Sequence, residues 1–173
     1  MQNELVKQIS YILYTSAEED VKINALVKDE SIWLTQKAMA ELFDCSADNI
    51  SLHLKNIYET GELEKNRTAE EISAVQKEGN RSVKRNLTFY NLDAIISVGY
   101  RVNSAKATKF RIWATNVLKE YIKKGFVLDE DRLKQGENVF GKDYFRELLE
   151  KVRSIRASER RIWQQITDIF AEC

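Results

Sequence analysis

The sequence predicts an α+β protein, mostly helical: a winged helix-turn-helix-like domain with two β-hairpins, followed by a long C-terminal helix. Three observations carry this. Two pairs of strand-like arms, rich in β-branched and aromatic residues, stand at 9–27 and 72–90. Between and after them, apolar residues recur at three- and four-residue spacing behind Thr, Ser and Asn caps. From 145 onward an apolar seam repeats in alternating steps of three and four. The 173 residues include no proline and six glycines, and 31% are charged. That composition favours long helices over irregular loops.

The division expected is a domain over 1–126, a linker over 127–141 and a C-terminal helical segment over 142–173. Residues 9–14 (ISYILY) and 21–27 (VKINALV) form the first hairpin, which should cover one side of a helical core. The centre of the chain is 33–57, WLTQKAMAELFDCSADNISLHLKNI. Thr35 caps a first helix with Ala38, Met39, Leu42 and Phe43 on its apolar face. Asp44-Cys45 interrupts it. Ser46 caps a second helix, Asp48 complements that helix's dipole, and Ile50, Leu54 and Ile57 are its buried stripe. Asn49, Ser51, Leu52 and Lys55 then face outward. This is the layout of a helix-turn-helix, whose second helix offers base-reading amide and ammonium groups to the major groove. Two amphipathic helices joined as a plain core corner would produce the same pattern.

Gly61 is expected to end the second helix, with 64–71 irregular. The next arms flank Lys77-Glu78-Gly79-Asn80, a strong hairpin-turn signal. Lys77, Arg81, Lys84 and Arg85 make it a candidate DNA-gripping wing, the alternative being a solvated hairpin. Asn91 caps a third helix, packed through Leu92, Ile95, Ile96 and Gly99, with the glycine permitting close helix contact. Ser104 caps a fourth helix that runs to Gly125. Its core stripe is Ala107, Phe110, Trp113, Ala114, Val117 and Tyr121. Lys106, Lys109 and Arg111 crowd its start, where cations oppose the helix dipole. They suit a phosphate partner; the plain alternative is stems lying over the core or partners of the acidic N-terminal half.

Net charge is zero, but it is unevenly spread. Residues 1–64 carry five lysines against twelve acids; residues 65–111 carry ten basic residues against four acids. Such asymmetry is the footprint of a basic patch on an otherwise acidic chain. Phe145, Leu148, Val152, Ile155, Ile162, Ile166 and Ile169 form the C-terminal seam, broken by Glu159 and widened by Leu149, Trp163 and Phe170. A homodimer interface is expected there, with packing onto the same chain as the alternative. A buried Glu159 would need Arg156 or Arg160 of the facing helix.

His53 is the only histidine, and Cys45 and Cys173 lie far apart without metal-like partners. No nucleophile, acid pair or phosphate-cradling loop is evident, so no enzyme activity, cofactor or metal is expected. The opening residues lack the order of a secretion signal, and no apolar run would span a bilayer. A cytoplasmic protein with reduced thiols is expected.

The segments IWLTQKAMAELFDCSADNISLHLKNIYETGEL and FYNLDAIISVGYRVNSAKATKFRIWATNVLKEYIKKGF resemble the RhuM family of bacterial virulence-associated proteins, from about residue 9 onward. Members of that family usually run longer, which implies a short member or part of a longer chain. The second half also resembles the N-terminal domain of BRO-type phage and baculovirus antirepressors. Phe110-Arg111-Ile112-Trp113-Ala114 and the run from Val117 to Gly125 match that domain's signature. These resemblances imply double-stranded DNA as a partner and a role in transcription regulation. The opposing expectation is a protein-interaction adaptor or antirepressor that does not touch DNA.

Overall fold

The computed structural model describes residues 9–15, 20–78, 81–129 and 144–171; the side chains of 9, 15, 20, 74–78, 81–84 and 170 lie outside that description. The chain divides into two compact units, Met1–Val127 and Leu128–Cys173.

Unit 1 is built on a five-stranded antiparallel sheet. Its strands are β1 (Ile9–Thr15), β2 (Asp20–Lys28), β3 (Ser31–Thr35), β4 (Ala69–Glu78) and β5 (Arg81–Tyr90), in spatial order β1-β2-β3-β5-β4. The first hairpin forms as expected, with a register shift between Ile12 and Tyr14. The shift lets two consecutive residues, Leu13 and Tyr14, both turn inward, which a regular strand forbids. β2 and β3 meet at Lys28↔Ser31 across Asp29 and Glu30, both with positive φ (52° and 56°). That is what a two-residue turn of the primed type requires.

Two sequence expectations are corrected here. The described residues form one sheet, not two separate hairpins, because β3 bridges them: it pairs with β2 through Ser31, Ile32 and Trp33 and with β5 through Leu34↔Tyr90 and Thr35↔Phe89. Residues 64–71 are not irregular either. They contain the short α3 (Lys65–Thr68) and the start of β4, paired at Ala69↔Tyr90 and Glu70↔Phe89.

The helices are α1 (Gln36–Phe43), α2 (Ala47–Glu59), α4 (Leu92–Arg101) and α5 (Ala105–Lys124). Each begins where a side-chain oxygen takes a backbone N–H of the first turn. Thr35 accepts from Ala38, Ser46 from Asn49, Asn91 from Ala94 and Ser104 from Ala107. Gly125 closes α5 in the left-handed region, where a side chain would be strained. The core joins Leu34, Met39, Phe43, Ile50, Ile57, Phe89, Ile95, Val98, Val102 and Phe110, all fully buried.

Packing refines two stripes. α4 buries Ala94, Ile95, Val98 and Gly99, whereas Ile96 is exposed. α5 buries Ala107 and Phe110 and half-buries Trp113, Ala114 and Val117, but Tyr121 is 58% exposed. The C-terminal half of α5 thus runs beyond the cover that unit 1 provides.

Glu62 links the end of α2 to α4 through an ion pair with Arg101. Hydrogen bonds from Arg101, and secondarily Ser97, hold its carboxyl below the ordinary 4.5. A lowered carboxyl pKa contributes stability above the unfolded value, which is lost as pH falls through the folded value. Both side chains are about a third or more exposed (33% and 40%), so the effect should stay below about 1 kcal/mol. Melting temperatures from pH 6 to pH 3 should fall more steeply for the wild type than for Glu62→Gln; parallel curves would refute this.

Unit 2 contains one long helix, α6 (Tyr144–Ala171). Ion pairs Glu147–Lys151 and Arg146–Glu150 brace its first half at i,i+4 spacing.

Candidate nucleic-acid interface

The link between α1 and α2 is three residues long. Asp44 takes the left-handed conformation (φ 54°, ψ 58°), and both its own N–H and that of Cys45 reach the Ala40 carbonyl. Ser46 then starts α2. The tight turn lets Met39, Leu42 and Phe43 of α1 and Ile50, Leu54 and Ile57 of α2 share one core. The opposite face of α2 is left open. Asn49, Ser51, Leu52 and Lys55 are all exposed, Leu52 at 55%. Lys55 lies 3.7 Å from Glu59, and this exposed pair is worth at most about 0.5 kcal/mol, so the ammonium can be withdrawn cheaply.

His53 is half-buried beside this face. Burial, with the nearby Arg101 charge, lowers its pKa from 6.5, so the imidazole is neutral at pH 7. Burial and the Asp44 carboxylate push the Cys45 thiol up, which makes it a poor nucleophile.

β4 and β5 stay paired from Ala69↔Tyr90 to Glu78↔Arg81, a ribbon ten residues long on each arm. Its base is anchored: Ile72 and Leu87 pack on the cluster of Leu26, Trp33 and Phe89. Arg85 is exposed on β5. Gly79 and Asn80, and the side chains of Lys77, Arg81 and Lys84, lie outside the described residues.

Lys106 and Lys109 are exposed at the start of α5. They line an open cleft of about 670 Å³ together with Lys22 of β2 and with Glu41 and Asp44 of the α1 end. Three lysines therefore face two carboxylates across one opening. Sequence reasoning could not pair them, because Glu41 and Lys106 are far apart in the chain. Arg111 has a different place from the one expected. Its guanidinium donates to the Gly99 and Val102 carbonyls (3.0 and 2.8 Å) and to Thr108 Oγ1 (2.9 Å). It caps the C-terminus of α4, and the third cation of the α5 start is committed to the fold.

On α6, Phe145, Val152, Ile155, Ile162, Ile166 and Ile169 are between 38% and 67% exposed, and Leu148 is half-buried. Trp163, at 63%, widens the strip.

Among the described residues, no helix is long and apolar enough to cross a membrane. Fold and surface define an α+β chain that sets a capped helix pair and a strand ribbon on one antiparallel sheet, with a long helix in a second unit. The chain belongs to the Virulence protein RhuM family, whose profile matches residues 67–173. The match runs from the last two residues of α3 through α6, while β1 to β3, α1 and α2 precede it. No curated protein and no solved structure matches the chain.

Proposed function

We propose that the chain binds double-stranded DNA without catalysing a reaction on it, as a homodimeric transcriptional regulator. The observation that carries this reading is the open face of α2. Asn49, Ser51, Leu52 and Lys55 stand together on a helix whose other side is fully committed to the core. The succession β3-α1-α2-α3-β4-β5, with β5 returning beside β3, supports it: a basic strand ribbon follows the helix pair in the chain and shares its sheet with the strand that leads into it. In this reading Asn49 and Lys55 meet base edges, Ser51 and Leu52 fill the groove, and Lys77, Arg81, Lys84 and Arg85 grip phosphates from the ribbon. Lys106 and Lys109 add positive charge near the α1–α2 turn. The exposed seam of α6 pairs two copies, as repeated half-sites require.

The test is fluorescence anisotropy with a labelled random-sequence duplex across a salt series. The wild type should bind with a steep negative slope of log K against log salt. Arg81→Ala, Lys84→Ala, Arg85→Ala combined should reduce the slope by about 0.9 per lost phosphate contact. Absence of binding at low salt would overturn the proposal.

A second reading has its own support. Glu41 and Asp44 offset Lys22, Lys106 and Lys109 in the cleft, and Leu52 is an apolar residue at the centre of the α2 face. A mixed-charge cleft and an exposed apolar residue on α2 also suit a protein partner. In that case the triple variant would leave partner binding intact while Leu52→Asp abolished it.

A further inference from the structure

We propose that α6 pairs with α6 of a second copy in antiparallel orientation, about a two-fold axis near Ala157. This rests on the homodimer reading above and goes beyond it by fixing direction and register.

The seam is nearly palindromic. Reversing one helix about residue 157 sets Phe145 against the partner's Ile169, Leu148 against the partner's Ile166, and Val152 against the partner's Ile162. Every one of these positions is apolar, and all but the half-buried Leu148 are between 38% and 63% exposed. The sole mismatch is Ile155 against the partner's Glu159.

Charge then decides between the two directions. Glu159 makes no ion pair with any described residue of its own chain, although three arginines (Arg156, Arg160, Arg161) stand within three positions of it. In a parallel pair the two Glu159 carboxylates would share one seam layer. Lys151 would also flank the partner's Arg156, because residues five apart meet along the edges of a parallel seam. Both contacts are between like charges. In the antiparallel pair, Arg156 lies on the same edge as the partner's Glu159 and within one residue of its level. The two-fold repeats this contact, so both carboxylates at the centre of the interface gain a guanidinium. Leu149 and Trp163, on that same edge, approach each other instead of a charge, and the one like-charge approach, Arg156 to the partner's Arg156 across the axis, is flanked by the two Glu159 carboxylates.

One consequence is geometric. The two Tyr144 ends sit at opposite ends of a 28-residue helix pair, about 40 Å apart.

The experiment uses the full chain with Cys45→Ser and Cys173→Ser, in two separately tagged forms, one Leu148→Cys and the other Ile166→Cys. Oxidised mixtures should give the mixed covalent dimer, with little linkage of either form to itself. Self-linkage of each form without the mixed product means a parallel pair, and overturns the proposal while leaving the dimer intact. A monomer by sedimentation of the wild type at tens of micromolar overturns the dimer itself. A charge variant removes dependence on cysteine in the seam. Arg156→Glu should raise the dimer dissociation constant on the order of tenfold, and Glu159→Arg in the same chain should recover it. A parallel pair would respond to Arg156→Glu with the opposite sign, since its Lys151 contact would turn favourable.

Discussion

Phe110→Ala is expected to destabilise unit 1 by about 3–5 kcal/mol, the usual cost of removing a large buried ring. Phe110 is 2% exposed. Its ring meets Phe43 edge-on at 5.4 Å, Trp113 at 5.6 Å and Tyr14 at 6.1 Å, and Tyr14 in turn stacks on Trp113 at 4.9 Å. These four aromatics come from β1, α1 and α5, so one ring ties the first hairpin to the helix pair. Partial collapse into the cavity is hindered, because Phe43 is itself fully buried and held by α1. Urea unfolding followed by circular dichroism measures the loss. A change under about 1 kcal/mol would mean that the aromatic cluster is not the joint described.

Gly99→Ala should also destabilise, although helix propensity alone predicts a gain of about 1 kcal/mol. A Cβ at this position would lie 2.7 and 2.9 Å from Phe110 ring carbons and 2.8 Å from Phe43 Cζ. Both rings are buried with nowhere to move, and the Gly99 carbonyl is held by Arg111. Overpacking of this kind costs about 1–3 kcal/mol, which outweighs the propensity term at all but its lowest value. The two substitutions should be strongly coupled. In a Phe110→Ala background the same methyl enters empty space and should become neutral or stabilising. If Gly99→Ala stabilised the otherwise unchanged protein, the close packing of α4 on α5 would be refuted.

Features set by neighbours in sequence were legible before the structure was. Thr35, Ser46, Asn91 and Ser104 each cap the helix assigned to them, because a cap needs only its own next three residues. Gly99 was legible as a packing glycine, and the outward face of α2 followed from its stripe. Features set by distant partners were not. The charged start of β4 is strand because it pairs with Phe89 and Tyr90, some twenty positions away. β3 is short and runs straight into α1, so its apolar residues read as the approach to a helix. Arg111 looked like surplus positive charge, since nothing local indicates the two carbonyls it serves. Tyr121 fits the periodicity of a core stripe, but α5 packs against α1 and α4 near its start, and Tyr121 is left 58% exposed. On the candidate interface, the α2 side chains could be named from spacing, whereas the meeting of Lys106 and Lys109 with Glu41 and Asp44 depends on how α5 folds back against α1.

Ser104 has a bearing on motion as well as on packing. Its hydroxyl oxygen receives the Ala107 N–H and its proton goes to the Phe43 carbonyl, so one side chain starts α5 and fastens the end of α1. The first turn of α5 therefore cannot unwind without freeing the residues that orient α2. The two helix ends form a single cooperative opening unit, and their amides should exchange with solvent together. Loosening the start of α5 should then speed amide exchange at the end of α1 as well, and Ser104→Ala should uncouple the two.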